Sequence, residues 1–223
     1  MNTDYSIFLI SNKKEYYETI KNSILPEKLE YFDGTNASSF SELVNACVES
    51  CTTEIIIIMS DKVLPQQEHI QKILDLIHQG HGFVGLYRFG CFGFKKDLFR
   101  QIGMMDERFI CGGYEDDDFY IRLIESNISA YLSHEVPYTK RPSAWVVNKA
   151  GQNSAADFFT KKWGVIEDKL NTVYRRFPEE TYNYNLGPST NAMFLTWDKT
   201  VMSVKKLKKY TTLRISKENT SGQ

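Results

Sequence analysis

The chain has 223 residues, is 42% hydrophobic and 25% charged, and carries a formal net charge of −1. It is long enough to bury one sizeable core with a small appendage. Its balanced charge gives no global field to recruit nucleic acid, and no apolar run approaches the roughly 18 residues of a spanning helix.

The start, Met1-Asn2-Thr3-Asp4, lacks the basic and apolar regions of a signal peptide. Cys47, Cys51, Cys91 and Cys111 show no C-x-x-C spacing. A reduced, cytoplasmic protein is expected. Residues 5–10 form a short apolar run, read as a first strand ending at Ser11-Asn12. Residues 13–24 follow as a helix that Pro26 stops. A second strand over 29–32 closes in Asp33-Gly34-Thr35-Asn36. Phe40, Leu43, Val44, Cys47, Val48 and Cys51 trace an amphipathic helix, which makes the two cysteines core thiols. Residues 55–59 are an uninterrupted apolar run, suited to a strand buried on both faces. Ile70, Ile73, Leu74 and Ile77 mark a third helix, and His69, His78 and His81 on or beside it read as solvated. The alternation of strands and helices predicts an α/β sheet with right-handed crossovers.

The second half turns on Gly112-Gly113-Tyr114-Glu115-Asp116-Asp117-Asp118-Phe119. Phe119, Tyr120, Leu123 and Ile124 recur at helical spacing, so the four acids fall on the first turn of a helix. There the helix dipole and free N–H groups favour negative charge. An ionised carboxylate so placed suits general-base chemistry; a merely solvated helix start is the plain alternative. Upstream lie the small-residue strand Phe89-Gly90-Cys91-Phe92-Gly93-Phe94, a short helix over 95–102, and the turn Gly103-Met104-Met105-Asp106-Glu107-Arg108-Phe109.

This order resembles the acceptor-side segment of GT-A glycosyltransferases. It is most similar to the inverting "family 2" enzymes and to the catalytic domain of β-1,4-galactosyltransferases. The resemblance implies a Rossmann-like nucleotide-diphospho-sugar transferase fold, with a mixed, mainly parallel sheet flanked by helices and a short C-terminal extension. It makes Asp116 the general base, with Glu115 beside it at the catalytic site. Asp106, Gly113, Tyr114, Glu115 and Asp117 would hold the acceptor, a glycan or glycolipid.

In open parallel sheets, ligands bind beyond the carboxyl ends of the strands. Ser11, Asn12, Asp33, Asp61 and Lys62 fall at such ends and are the donor-binding candidates, with a UDP-sugar the expected donor. Ser60-Asp61-Lys62 occupies the place of the family's D-x-D metal signature, with one acid only. Two readings stand. A divalent cation, Mn²⁺ or Mg²⁺, sits on Asp61 with help from His134; or Lys62 supplies the positive charge itself. Lys140-Arg141 is either a phosphate clamp or plain surface, and Phe159-Thr160-Lys161-Lys162-Trp163-Gly164 resembles the family's "F-x-x-K-W-G" ending.

The resemblance divides the chain into a transferase domain over 1–165, with a nucleotide-sugar half at 1–82 and an acceptor half at 83–165, and an extension over 166–223. Lys205, Lys206, Lys208 and Lys209 make a short basic helix in that extension a candidate for peripheral membrane contact, against an ordinary solvated tail. The function expected is an inverting glycosyl transfer. A catalytically idle sugar- or nucleotide-binding module on the same fold is the alternative, and a nucleotidyltransferase is disfavoured because Ser11-Asn12-Lys13-Lys14 contains no glycine for a phosphate loop.

Overall fold

The computed structural model describes residues 4–109, 113–133, 135–137, 155, 157–159 and 214–215. His134, Lys140-Arg141, the stretch 160–164 and the basic segment around 200–210 lie outside the described residues. The elements are β1 (Tyr5–Ser11), α1 (Lys14–Ile20), β2 (Leu29–Asp33), α2 (Phe40–Ser50), β3 (Ile55–Ser60), α3 (Gln67–His78), β4 (Phe83–Phe89), β5 (Cys91–Lys95), α4 (Asp97–Ile102), α5 (Glu115–Glu125), β6 (Ala130–Leu132) and β7 (Arg214–Ile215).

The seven strands form one sheet in the order β6-β4-β5-β3-β1-β2-β7. β2 and β3 pair parallel with β1, and β6 pairs parallel with β4. β5 runs antiparallel to both β3 and β4, and β7 antiparallel to β2. Five strands therefore share one direction, and the sheet is mixed but mainly parallel, as the GT-A resemblance implies. The extension returns to the sheet edge, where Arg214 pairs with Phe32 and Ile215 with Tyr31.

Alternation along β1 sorts the core onto two faces. Phe8 and Ile10 join the cluster under α2, α4 and α5, while Ile7 and Leu9 join the one under α1 and α3. β3 is buried at every position, as its apolar run predicts. Cys47, Cys51 and Cys91 are buried in the core.

Two elements differ from expectation. α1 ends at Ile20, and a turn in which Ser23 donates to the Ile20 carbonyl replaces its last predicted residues. The small-residue strand is the second arm of a hairpin: β4 and β5 meet at Gly90, whose N–H donates to the Tyr87 carbonyl at 2.7 Å. Gly93 has a packing reason, because a Cβ there would lie 2.4 Å from Ile73 Cγ2 of α3. The hairpin's other face carries Phe83, Phe89, Phe92 and Phe94, and Phe119 of α5 packs against Phe83, Phe89 and Phe99 with ring centroids 5.2–5.8 Å apart. Burying each such ring contributes about 1.5–3 kcal/mol. This aromatic seat fixes where the acid-bearing helix lies.

Candidate active site

At the carboxyl ends of β1, β2 and β3, strand register brings the residues expected to bind the donor together. Ser11 lies opposite Asp33, and Ile10 opposite Ser60, so Asp61 follows directly beside Ser11. The Ser11 hydroxyl donates to Asp61 Oδ2 at 2.8 Å and accepts the Lys13 N–H at 3.0 Å. Asp61 is buried. Asp33 is half-buried, and its Oδ1 accepts both the N–H (2.9 Å) and the hydroxyl (2.6 Å) of Thr35, a turn that holds the carboxylate at the strand end. The Tyr31 hydroxyl donates to the Ser11 carbonyl at 3.0 Å; burial, then the charges of Asp33 and Asp61, raise its pKa. Asn12 is exposed at the rim and Lys62 half-buried beside Asp61.

For a divalent cation, Asp61 supplies an oxygen ligand of the right hardness. Among the described residues no three His, Cys, Asp or Glu side chains gather around one point. The second ligand expected from the sequence, His134, lies outside the described residues.

The four acids, expected at the acceptor side, occupy the first turn of α5, as the spacing predicts. The chain reaches them through Gly113 (φ 101°) and Tyr114 (φ 66°), two successive residues in left-handed backbone. Gly113 adopts this freely, whereas Tyr114 bears strain of about 1–2 kcal/mol. Its ring lies 5.2 Å from that of Phe159, in a small cluster with Phe109, Ile121, Ala155 and Phe158. The Tyr114 carbonyl accepts the Asp118 N–H at 2.9 Å and so opens the helix.

The acids then part company. Asp118 is fully buried and paired with the fully buried Arg122, whose Nε and Nη2 lie 3.1 and 3.0 Å from its Oδ2. Asp117 is buried too. Asp116 is half-buried, and its Oδ1 accepts the Asp117 N–H at 3.1 Å. Glu115 accepts from the N–H groups of Gly113 and of its own backbone, while its Oε2 is sealed from solvent without a hydrogen-bond partner. Burial, then the charge of Asp116 and more weakly that of Asp117, pushes the Glu115 carboxyl up to about 8. Among the described residues, neither Glu115 nor Asp116 has a cation partner, unlike Asp118.

Asp106, expected at the acceptor surface, is wholly buried. Its Oδ1 accepts Arg108 N (3.1 Å) and Nε (2.9 Å), and its Oδ2 accepts Arg108 Nη2 (2.7 Å). Arg108, in turn, lies over the Phe158 ring at 4.9 Å. The structure therefore places Asp106 beneath the turn, holding its shape. Two further residues, Asn45 and Arg122, bear on the site without having been singled out in the sequence. The i,i+4 spacing of Asp118 and Arg122 is a signal for an ion pair on one helix face; nothing local marks Asn45.

Residues 79–144 match the family model described as the N-terminal domain of galactosyltransferase. The segment resembles a galactosyltransferase. It spans the β4–β5 hairpin, α4, the 103–109 turn, the acidic turn of α5 and β6. No curated protein matches the chain. Among solved structures, it is similar to a Drosophila β1,4-galactosyltransferase 7 mutant solved with manganese, UDP-Gal and xylobiose, at 14% identity and a TM-score of 0.46. That likeness covers 56% of this chain and 63% of that one. The GT-A glycosyltransferase resemblance drawn from the sequence thus has a family match over the acid-bearing segment.

Proposed function

We propose that this protein transfers a sugar from a nucleotide-sugar to a hydroxyl of a glycan or glycolipid, with inversion at the anomeric carbon. One observation carries the reading: within the galactosyltransferase-like segment, Glu115 and Asp116 are set at a helix start and meet no cation among the described residues. Asp116, half-buried, takes the proton of the acceptor hydroxyl. The oxygen so released attacks the anomeric carbon in line, and the diphosphate leaves. Glu115, held up to about 8 by burial and by its neighbours' charges, carries its proton at neutral pH and donates it in a hydrogen bond to an acceptor oxygen. Gly113, Tyr114 and Asp117 line the same acceptor site.

The donor, a UDP-sugar in this reading, lies across the strand ends of residues 1–82. Ser11, Asn12 and Asp33 face its base and ribose, and Asp61 and Lys62 its diphosphate. A Mn²⁺ or Mg²⁺ ion, when bound, would offset diphosphate charge, with Asp61 and His134 as its protein ligands. Lys62 provides a positive charge at the same place without one.

An idle binding module shares these features, and the Ser60-Asp61-Lys62 sequence, short of one acid, favours it. Incubating the protein with a panel of nucleotide-sugars, and reading nucleoside diphosphate release with and without glycan acceptors, separates the two. Acceptor-stimulated release from one donor supports transfer. Donor binding with no release across the panel, with and without Mn²⁺, supports the module. We place the protein in the cytoplasm, with the basic segment around 200–210 as its membrane contact; no described helix is long and apolar enough to cross a bilayer.

A further inference from the structure

Asn45 is fully buried on α2, in the donor half, yet its side-chain amide bonds into the acceptor half. Its Oδ1 accepts the Met105 N–H at 2.9 Å, and its Nδ2 donates to the Met105 carbonyl at 2.9 Å and to Glu107 Oε1 at 2.8 Å. One amide thus occupies both backbone groups of Met105, as a neighbouring strand would. Only one orientation of the amide satisfies both contacts.

The same turn is held from its other side. Arg122 Nη1 donates to the carbonyls of Ile102 (3.0 Å), Gly103 (3.2 Å) and Met104 (2.9 Å), while Nε and Nη2 engage Asp118. Those carbonyls end α4, where a helix leaves acceptors unsatisfied and its dipole is negative. The guanidinium therefore caps α4 and, through Asp118, is tied to the first turn of α5. α2 itself begins at the donor loop: Ser39 accepts the Glu42 N–H at 3.1 Å, and Glu42 Oε2 accepts the Ser38 N–H at 2.6 Å. Helix α2 therefore carries polar contacts at both places: Ser39 and Glu42 hold the loop after β2, and one turn on Asn45 holds the 102–107 turn, which Arg122 ties to the acids.

We propose that Asn45 and Arg122 are positioning residues that set the acidic turn of α5 against the donor half of the molecule, a role that rests on the transferase reading. Neither touches substrate. Each clamps the 102–107 turn, and Arg122 passes its position to Asp118, two residues from Asp116. Buried polar networks of this kind act as units, so loss of one member loosens the rest.

The test is Asn45→Ala, with the isosteric Asn45→Asp in its place should the alanine variant not fold. Arg122→Lys, which keeps the charge but not the fork, runs in parallel. Amide hydrogen exchange is followed across the chain, beside nucleotide binding and acceptor-dependent transfer. The expected result is a local one. Protection of the 115–120 amides falls at least tenfold while that of β1 and β3 is kept; nucleotide affinity stays within about twofold, and turnover falls at least tenfold. Protection lost evenly over the whole chain, or kept over 115–120, overturns the proposal. The exchange readout does not depend on transfer activity. A wild-type protein that turns over no sugar therefore counts against the transferase reading alone, leaving the clamp to stand or fall on exchange.

Discussion

The two ends of the site handle charge in opposite ways. At the proposed donor end, Asp33 closes β2 and Asp61 follows β3, and hydroxyls meet them: Thr35 for one, Ser11 for the other. At the start of α5, the proposed acceptor end, four acids follow one another on a single helical turn, and the deepest, Asp118, is met by a guanidinium. Separation by two strand spacings, with β1 between, lets acids coexist with ordinary polar partners. Adjacency on one turn forces a choice, and here Asp118 is neutralised by Arg122 while Glu115 is pushed toward its protonated form. Repulsion in the acidic turn is thus partitioned, and one half-buried acid, Asp116, is left without a cation partner among the described residues. The comparison teaches that acid count says little about how many acids take part in chemistry.

The largest effect expected from breaking this contrast is on stability. Asp118→Asn removes the carboxylate paired with the fully buried Arg122, and should cost about 3–5 kcal/mol, the usual penalty for removing one partner of a buried pair. Urea unfolding measures it; a cost under about 1 kcal/mol, the level of a surface pair, would show that the pair is not sealed from water. Next in size, with Mn²⁺ present, Asp61→Asn should weaken nucleotide-sugar binding roughly tenfold, because it removes the carboxylate proposed to hold the cation against the diphosphate. Calorimetric titration checks this, and unchanged affinity would remove Asp61 from the donor site.

Glu115 sharpens the contrast through pH. Its folded-state pKa lies above the ordinary carboxyl value of 4.5, at about 8. Between those values the unfolded chain gives up the proton and the folded one keeps it, so the unfolded state gains. Stability from this group is fully present below about pH 4.5 and is lost as pH rises through about 8. Glu115→Gln should therefore leave the melting temperature little changed at pH 4 and raise it increasingly from pH 5 to pH 8.5. Parallel melting curves across that range would contradict the assignment. The smallest effect is expected at the far edge of the sheet. Removing residues after Val201 takes away the two β7 pairs with β2 and should lower the melting temperature slightly while leaving nucleotide affinity unchanged. A collapse in affinity would extend the donor site to β7.

Much of this was legible in the chain. The apolar run 55–59 could only be a strand buried on both faces, and its neighbours' polar ends could only converge at one edge of a parallel sheet. The acidic turn was legible because Phe119, Tyr120 and Leu123 repeat at helical spacing. β4 was missed because Gly85 and Arg88 interrupt its apolar run, and only pairing with β5 and β6 makes it a strand. Asp106 was misplaced for a different reason: an acid in an exposed-looking turn says nothing of Arg108 folding back over it. Asn45 left no local trace at all, since its partners are 60 and 62 residues away. Nor did the left-handed Tyr114, because a tyrosine gives no hint of a conformation that only its surroundings can impose.

In the proposed transfer, Asp116 is the base. Asp116→Asn is nearly isosteric and removes one charge from a crowded turn, so the fold should be kept. With a donor and acceptor found in the nucleotide-sugar panel, acceptor-dependent turnover should fall by about 10²–10⁴, while donor affinity by calorimetry stays the same. Near-normal turnover in a folded Asp116→Asn protein would contradict the account, and would leave the acidic turn as a binding surface.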